Sequence, residues 1–117
     1  MRVLVCGGRH YFDHNTVVRT LDAIHVETPI TAILHGGATG ADALAGKWAA
    51  LRNVSTVVFK ADWQAHGRKA GPWRNMQMIQ EGQPDLVVAF PGGRGTAHVI
   101  RLAITNNIKL IQPEQRQ

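Results

Sequence analysis

Phe90-Pro91-Gly92-Gly93-Arg94-Gly95-Thr96 is the stretch on which the fold of this chain turns. The apolar run Leu86-Val87-Val88-Ala89 precedes it, and Ala97-His98-Val99-Ile100-Arg101-Leu102-Ala103-Ile104 follows with the character of a helix. Strand, glycine turn and helix in that order aim backbone N–H groups and a positive helix end at an anion. Glycine lets the chain take positive φ and lets a ligand approach the backbone. Thr96 is placed to cap the helix. One such cluster is equally a tight packing turn, but the chain makes the junction twice more. Gly7-Gly8-Arg9 follows the β-rich run Arg2-Val3-Leu4-Val5-Cys6, and Gly36-Gly37-Ala38-Thr39-Gly40 follows Ile30-Thr31-Ala32-Ile33-Leu34-His35.

Between these junctions the apolar residues fall at helical spacing. Val17, Leu21 and Ile24 predict a helix over 13–25 with Asp13 as its N-cap. Ala41, Leu44, Ala45, Trp48 and Leu51 predict a second, for which Thr39 and Asp42 have capping-box spacing and Asn53 is the stop. Residues 54–60 read as a third strand and 61–71 as a long polar loop, of the kind that carries function. Pro72 suits a first helical turn, with Trp73, Met76 and Ile79 on the apolar side and Gly82 as the end. Residues 85–90 give a fourth strand, Lys109-Leu110-Ile111 a fifth, and the chain from Pro113 on a polar tail.

The resulting order, βαβαβαβαβ, predicts an α/β fold: a five-stranded parallel sheet between two helical layers, built as a single domain over 1–117. Right-handed crossovers place every strand-to-helix loop at the carboxyl edge of such a sheet, where ligands bind. That rim would gather the three glycine corners and residues 61–74. With them come Arg9, Arg68, Lys69, Arg74 and Arg94, five of the 13 basic residues.

Composition narrows the class. A chain of 117 residues with 44% hydrophobic and 18% charged residues is long enough for a proper core and is not disordered. A net charge of +5 favours anionic partners without choosing among them. Cys6 is the one cysteine, so neither a disulfide nor a cysteine-based zinc site can form within the chain. Its start is too short for a signal peptide, and no apolar stretch could span a membrane. The cytoplasm, or a host cytoplasm if the gene is viral, is the expected setting.

The familiar nucleotide motifs do not fit. Gly40 to Lys47 has five residues between glycines where a P-loop has four, and Trp48 stands in place of Ser/Thr. Gly7-Gly8-Arg9-His10 lacks the dinucleotide pattern. Asp42 could accept from a ribose hydroxyl or cap its helix. Arg68, Lys69 and Arg74, beside Gly67 and Gly71, are expected to contact an anion, Arg74 most firmly because a helical turn fixes it. His98 is either a pH-sensitive ligand contact or a surface residue. Trp63 and Trp73 could each stack on a base, though Trp73 suits the core or an interface; Trp48 belongs to the core. Of the six histidines, His10 and His14 have i, i+4 spacing but straddle a loop and a helix start, so no metal is expected, and no cofactor. Ser55 and Cys6 lie in strands, so covalent catalysis is not expected.

Taken together, Val5-Cys6-Gly7-Gly8-Arg9, His35-Gly36-Gly37-Ala38-Thr39-Gly40-Ala41-Asp42, Ala61-Asp62-Trp63, Gly71-Pro72-Trp73-Arg74-Asn75 and Phe90-Pro91-Gly92-Gly93-Arg94-Gly95-Thr96-Ala97 resemble the SLOG superfamily, and most closely its small YspA-type, YpsA-related branch. The resemblance covers nearly the whole chain. It implies a Rossmann-like fold, a nucleotide or nucleotide-derived ligand and a homo-oligomer. Motifs and loop reading together give the expected ligand contacts: Gly7, Gly8, Arg9, Gly36, Gly37, Thr39, Gly40, Asp42, Trp63, Arg68, Arg74, Asn75, Pro91, Gly92, Gly93, Arg94, Gly95 and Thr96. The related LOG phosphoribohydrolases carry Pro-Gly-Gly-x-Gly-Thr-x-Glu-Glu and an upstream Arg-Lys pair. Here Arg74 matches the Arg, Asn75 replaces the Lys, and His98 and Val99 stand in place of the glutamates. A ligand-binding sensor, carrier or sequestering protein is therefore the first expectation. A hydrolase is the second, with Arg74, Asp42 and His98 as catalytic candidates and Asp62 or Glu81 as other substitute carboxylates. A single-strand nucleic-acid binder, as in the Smf/DprA relatives, is the third.

Overall fold

Val3, Leu4 and Val5 are all fully buried, which a strand achieves only when both faces of its sheet are covered. The computed structural model describes residues 1–113, so the tail beyond Pro113 lies outside the described residues. Its elements are β1 (Arg2–Cys6), α1 (His14–Glu27), β2 (Ala32–His35), α2 (Ala41–Leu51), β3 (Ser55–Val58), α3 (Trp63–His66), α4 (Ala70–Gln80), β4 (Leu86–Ala89), α5 (Arg94–Thr105) and β5 (Lys109–Ile111). The sheet is five-stranded and parallel throughout, in the order β3-β2-β1-β4-β5. This is the expected Rossmann-like three-layer α/β/α arrangement.

Alternation along the strands builds the two interfaces. Val3, Val5, Ile33, Val88 and Phe90 face α1 and α2, meeting Val17, Leu21, Ala45 and Trp48. Leu4, Cys6, Leu34, Val87 and Ala89 face α4 and α5, meeting Met78, Ile79, Val99 and Ala103. Trp48 sits in the first interface as expected, and its indole N–H donates to Asp22 Oδ1 at 2.8 Å. At about 0.8 kcal/mol per buried CH₂, these layers supply most of the driving force for folding.

Some local expectations change. The polar loop over 61–71 is mostly helical: Asp62 accepts from Ala65 N–H at 3.0 Å and starts α3, a 3₁₀ turn spans Gly67–Lys69, and α4 begins at Ala70. The buried face of α4 is also not the expected stripe of Trp73, Met76 and Ile79, since Met76 is exposed with Trp73. Ala70, Gly71, Asn75, Met78 and Ile79 are its buried residues, while Trp73 is 54% exposed and stacks on His66 rather than joining the core. Leu51 is exposed as well. Asp13 caps α1 by accepting from Thr16 N–H, and Asn53 (φ 57°) stops α2. Thr39 and Thr96 cap nothing. The N-caps of α2 and α5 are Gly40 and Gly93, neither with a side-chain cap, because each helix starts one or more residues away from its threonine.

Candidate functional site

Strand order reverses between β1 and β4, so their two loops diverge from the carboxyl edge and open a crevice there. Backbone bonds fix its mouth: Phe90 N–H donates to Cys6 O and Gly8 N–H to Pro91 O, each at 2.9 Å. The cleft has a volume of about 960 Å³. Val5, Cys6, Met78 and Val99 make its apolar floor, Tyr11 and Trp63 bring aromatic rings, and the glycine corners form the rim. Arg9, Arg74, Arg94 and Arg101 line it against one carboxylate, Asp42. The corners scattered through the sequence thus meet in space.

They do not meet as equals. After β2, the amides of Gly36 and Ala38 both donate to Asp42 Oδ2, at 3.0 and 3.2 Å, and Gly37 N–H donates to His35 Nδ1 at 3.0 Å. Ala41 N–H, at the start of α2, donates to Gly8 O at 3.2 Å. The amides of residues 36–38 and of Ala41 are thus committed within the protein, so those expected N–H contacts to a ligand are already spent. Asp42 neither caps a helix nor stands free: it is 7% exposed and braces the loop before it. Burial pushes its pKa up, and the bonds from Ala38 and Gly36 and the charges of His35 and Arg74 only partly offset that.

After β4 the arrangement is open. The first bond of α5 is Ala97 N–H to Gly93 O at 3.0 Å, so the N–H groups of Arg94, Gly95 and Thr96 precede the ladder. Residues 91–95 are exposed, and an added Cβ on Gly93 or Gly95 would meet nothing within 4 Å. A helix end with unpaired donors and the positive pole of a dipole suits an anionic group.

Arg74 crosses between the two corners. Its Nη1 donates to Gly36 O at 2.9 Å and to Phe59 O at 3.4 Å, and its Nε donates to Asn75 Oδ1 at 2.9 Å. A Cβ on Gly36 would fall on this guanidinium, which is why that position has no side chain. Asn75, 4% exposed, passes the order on: its Nδ2 faces Gly95 O at 3.4 Å and His98 Nδ1 at 3.1 Å. Arginine can only donate, so Asn75 must turn its oxygen to Arg74 and its NH₂ to His98, and His98 must accept through Nδ1. Burial lowers the pKa of Arg74, partly restored by Asp42, and Arg9 lowers it further. Burial, then Arg101, lowers that of His98.

The remaining expected residues divide. Trp63, 51% exposed, lines the cleft, as do Gly7, Gly8, Arg9, Pro91 and Gly92. Thr39 and Gly37 line a smaller adjoining hollow. Gly40 (φ 74°) is buried and makes room for the backbone of Gly8 and Arg9. Arg68 lies in the exposed 3₁₀ turn and lines neither hollow, and Lys69 is its neighbour there. Asp62 is spent on its cap, and Glu81 ends α4 at the opposite edge of the sheet, accepting from Gln77. The thiol of Cys6 is pushed up to about 12 by burial and by Asp42, so it forms part of the floor and is no nucleophile. Sequence reasoning missed Tyr11, Met78, Arg101 and Lys60. For Lys60 a signal existed, since it follows β3 at the same carboxyl edge.

A family model described as the YspA, cpYpsA-related SLOG family matches residues 1–66. The Gene 61 protein of Mycobacterium phage D29 is 42% identical over 118 residues, with 94% of each chain covered. Among solved structures, DNA processing protein A (DprA) from Streptococcus pneumoniae superposes with a TM-score of 0.54 at 17% identity. The likeness covers 94% of this chain but 58% of that one, and at this identity it speaks for the fold. No helix among the described residues is long and apolar enough to cross a membrane.

Proposed function

Because the chain belongs to the YspA, cpYpsA-related SLOG family, we propose that its cleft binds a phosphorylated nucleoside or nucleotide-derived ligand, of the ADP-ribose kind, for sensing, carriage or sequestration. The observation that carries this reading is that the open N-terminus of α5 and Arg74 line one cleft of about 960 Å³ at the strand switch point. A phosphate fits the free amides, and a base or sugar fits the apolar floor beside Trp63. A panel of nucleotides, assayed by thermal shift and calorimetry, tests it. Ligand at about 100 times its Kd should add roughly 2.7 kcal/mol, and Arg74→Ala should abolish the gain. A panel without one stabilising member would end the reading.

Hydrolysis of an N-glycosidic bond has less support. Asp62 and Glu81 lie away from the reacting space, and Asp42 is occupied by two amides. A carboxylate suits a cationic ribosyl centre; the neutral ring of His98 does not. Nucleic-acid binding would use the basic rim and Trp63, and would show a steep fall of affinity with salt where a mononucleotide shows a shallow one. A homo-oligomer and a cytoplasmic setting belong to the same proposal, the first testable by light scattering.

A further inference from the structure

Beside the main cleft lies a hollow of about 370 Å³, reached past Ala38, Trp63 and Arg74, which line both. Arg9, Lys60 and Arg74 line it together, and no carboxylate does. We propose that this hollow is a second anion subsite, so that the ligand carries two separated anionic groups: one at the N-terminus of α5 and one between Arg9, Lys60 and Arg74. The proposal rests on the reading of the main cleft as a nucleotide site and, within that reading, favours a nucleoside with two separated phosphoryl groups over a contiguous pyrophosphate of the ADP-ribose kind.

The three cations differ in how they reach the hollow: the Arg74 side chain is bonded in place, whereas Arg9 is anchored through its backbone and Lys60 is exposed. Thr39 Oγ1 donates to Arg9 O at 3.1 Å, and Gly40 lets the backbone of Gly8 and Arg9 lie directly on it. The stem of Lys60 runs along Gly37, where an added Cβ would come within 3.4 Å of Lys60 Cγ and 3.7 Å of Cε. Arg74 is pinned by Gly36 O and Asn75 Oδ1. Among the described residues, neither Arg9 nor Lys60 has a carboxylate within ion-pair reach. Arg9 and Arg74 are close enough that Arg9 disfavours the charge on Arg74. Like charges gathered around one concavity repel each other, and a bound anion relieves that repulsion. The neighbouring amides of Gly36, Gly37 and Ala38 are committed to Asp42 and His35. Recognition in this hollow therefore falls to side-chain charge, whereas the α5 end offers backbone donors. A guanidinium grips phosphate through two donors, and an ammonium adds a point charge.

The test compares wild type with Lys60→Ala by calorimetry, using adenosine 5′-monophosphate, ADP and adenosine 3′,5′-bisphosphate. Lys60 is exposed, so the substitution should leave the melting temperature unchanged. The expected result is that the separated bisphosphate binds wild type at least tenfold more tightly than the monophosphate. ADP, with contiguous phosphates, should gain less. Lys60→Ala should remove the bisphosphate's advantage while leaving the monophosphate within twofold. A bisphosphate no tighter than the monophosphate, or a Lys60→Ala effect equal on both, overturns the second subsite and leaves the nucleotide reading standing. A single-stranded oligonucleotide that outbinds all three overturns it in favour of a strand-binding groove. If none of the nucleotides binds, the nucleotide reading fails, and inorganic phosphate is titrated while the amide resonances of Gly37 and Ala61 are followed. A saturable shift lost in Lys60→Ala still supports an anion subsite, and no shift overturns that too.

Discussion

The corner after β2 and the corner after β4 are written in the same glycine-rich alphabet and do opposite things. At the first, Gly36 clears a path for Arg74, Gly40 clears one for the β1–α1 loop, and the amides of residues 36–38 are closed by Asp42 and His35. At the second, Gly93 and Gly95 clear space that no protein atom within 4 Å uses, and the first amides of α5 are left to solvent. One corner is braced by its own side chains, and the other leaves its first helical amides without a bond in the protein. The lesson is that a glycine cluster does not say what uses its space: at Gly36 and Gly40 it is another part of the chain, whereas at Gly93 and Gly95 no protein atom does.

The same substitution should therefore have opposite signs at the two corners, and this is the largest effect expected. Gly40→Ala places a methyl on the carbonyl of Gly8 at positive φ. It should cost about 3 kcal/mol or more, read as a fall in denaturant midpoint. Gly95→Ala adds a methyl to open space inside a first helical turn. It should raise stability by about 0.5–1 kcal/mol while weakening adenosine 5′-monophosphate roughly tenfold. Equal losses of stability at both positions would erase the distinction.

Asp42 offers the next test. Asp42→Ala leaves the amides of Gly36 and Ala38 without their acceptor and should cost about 2–4 kcal/mol. In Asp42→Asn a single amide oxygen can take the place of Oδ2, the atom both bonds use, so stability should stay within about 1 kcal/mol of wild type. Removing a negative charge from a cleft lined by arginines should also tighten anion binding. An Asn variant as unstable as Ala would show that the corner is held by charge and not by hydrogen bonds.

How far the sequence alone could reach follows from the same contrast. Parallel strands fully buried on both faces leave continuous apolar runs, so β1, β2 and β4 are legible, and βαβ handedness then places the loops. That reasoning brought Arg9, Arg74 and Arg94 to one cleft without any contact being known. It could not tell the closed corner from the open one, because what closes it is a side-chain bond from Asp42, two residues into the next helix, and capping-box spacing gave that carboxylate another use. It read 61–71 as loop because Asp62, an N-cap three residues before Ala65, starts a single helical turn too short to carry a periodic stripe. It misplaced the buried face of α4 because that face carries Gly71 and Asn75, neither of them apolar, while the apolar Trp73 and Met76 are exposed.

The smallest effect concerns the histidine at the open corner. Asn75 presents its NH₂ to His98 Nδ1 because its oxygen is held by Arg74 Nε, so a proton on that nitrogen would set donor against donor. Burial and Arg101 act in the same direction, placing the His98 pKa below 6.5 in the folded chain. The unfolded chain, with an ordinary imidazole, then takes up a proton that the folded chain refuses. Stability falls as pH drops through the region just below 6.5 and is fully regained above it. His35, lowered by its own burial and accepting from Gly37, adds to the slope with the same sign. Replacing His98 by Gln, which can still accept from Asn75, should flatten part of that slope and leave the His35 part. An NMR titration placing His98 at or above 6.5 would mean that Asn75 is turned the other way, and that the link running from Arg74 through Asn75 to the start of α5 is not the one that orders the open corner.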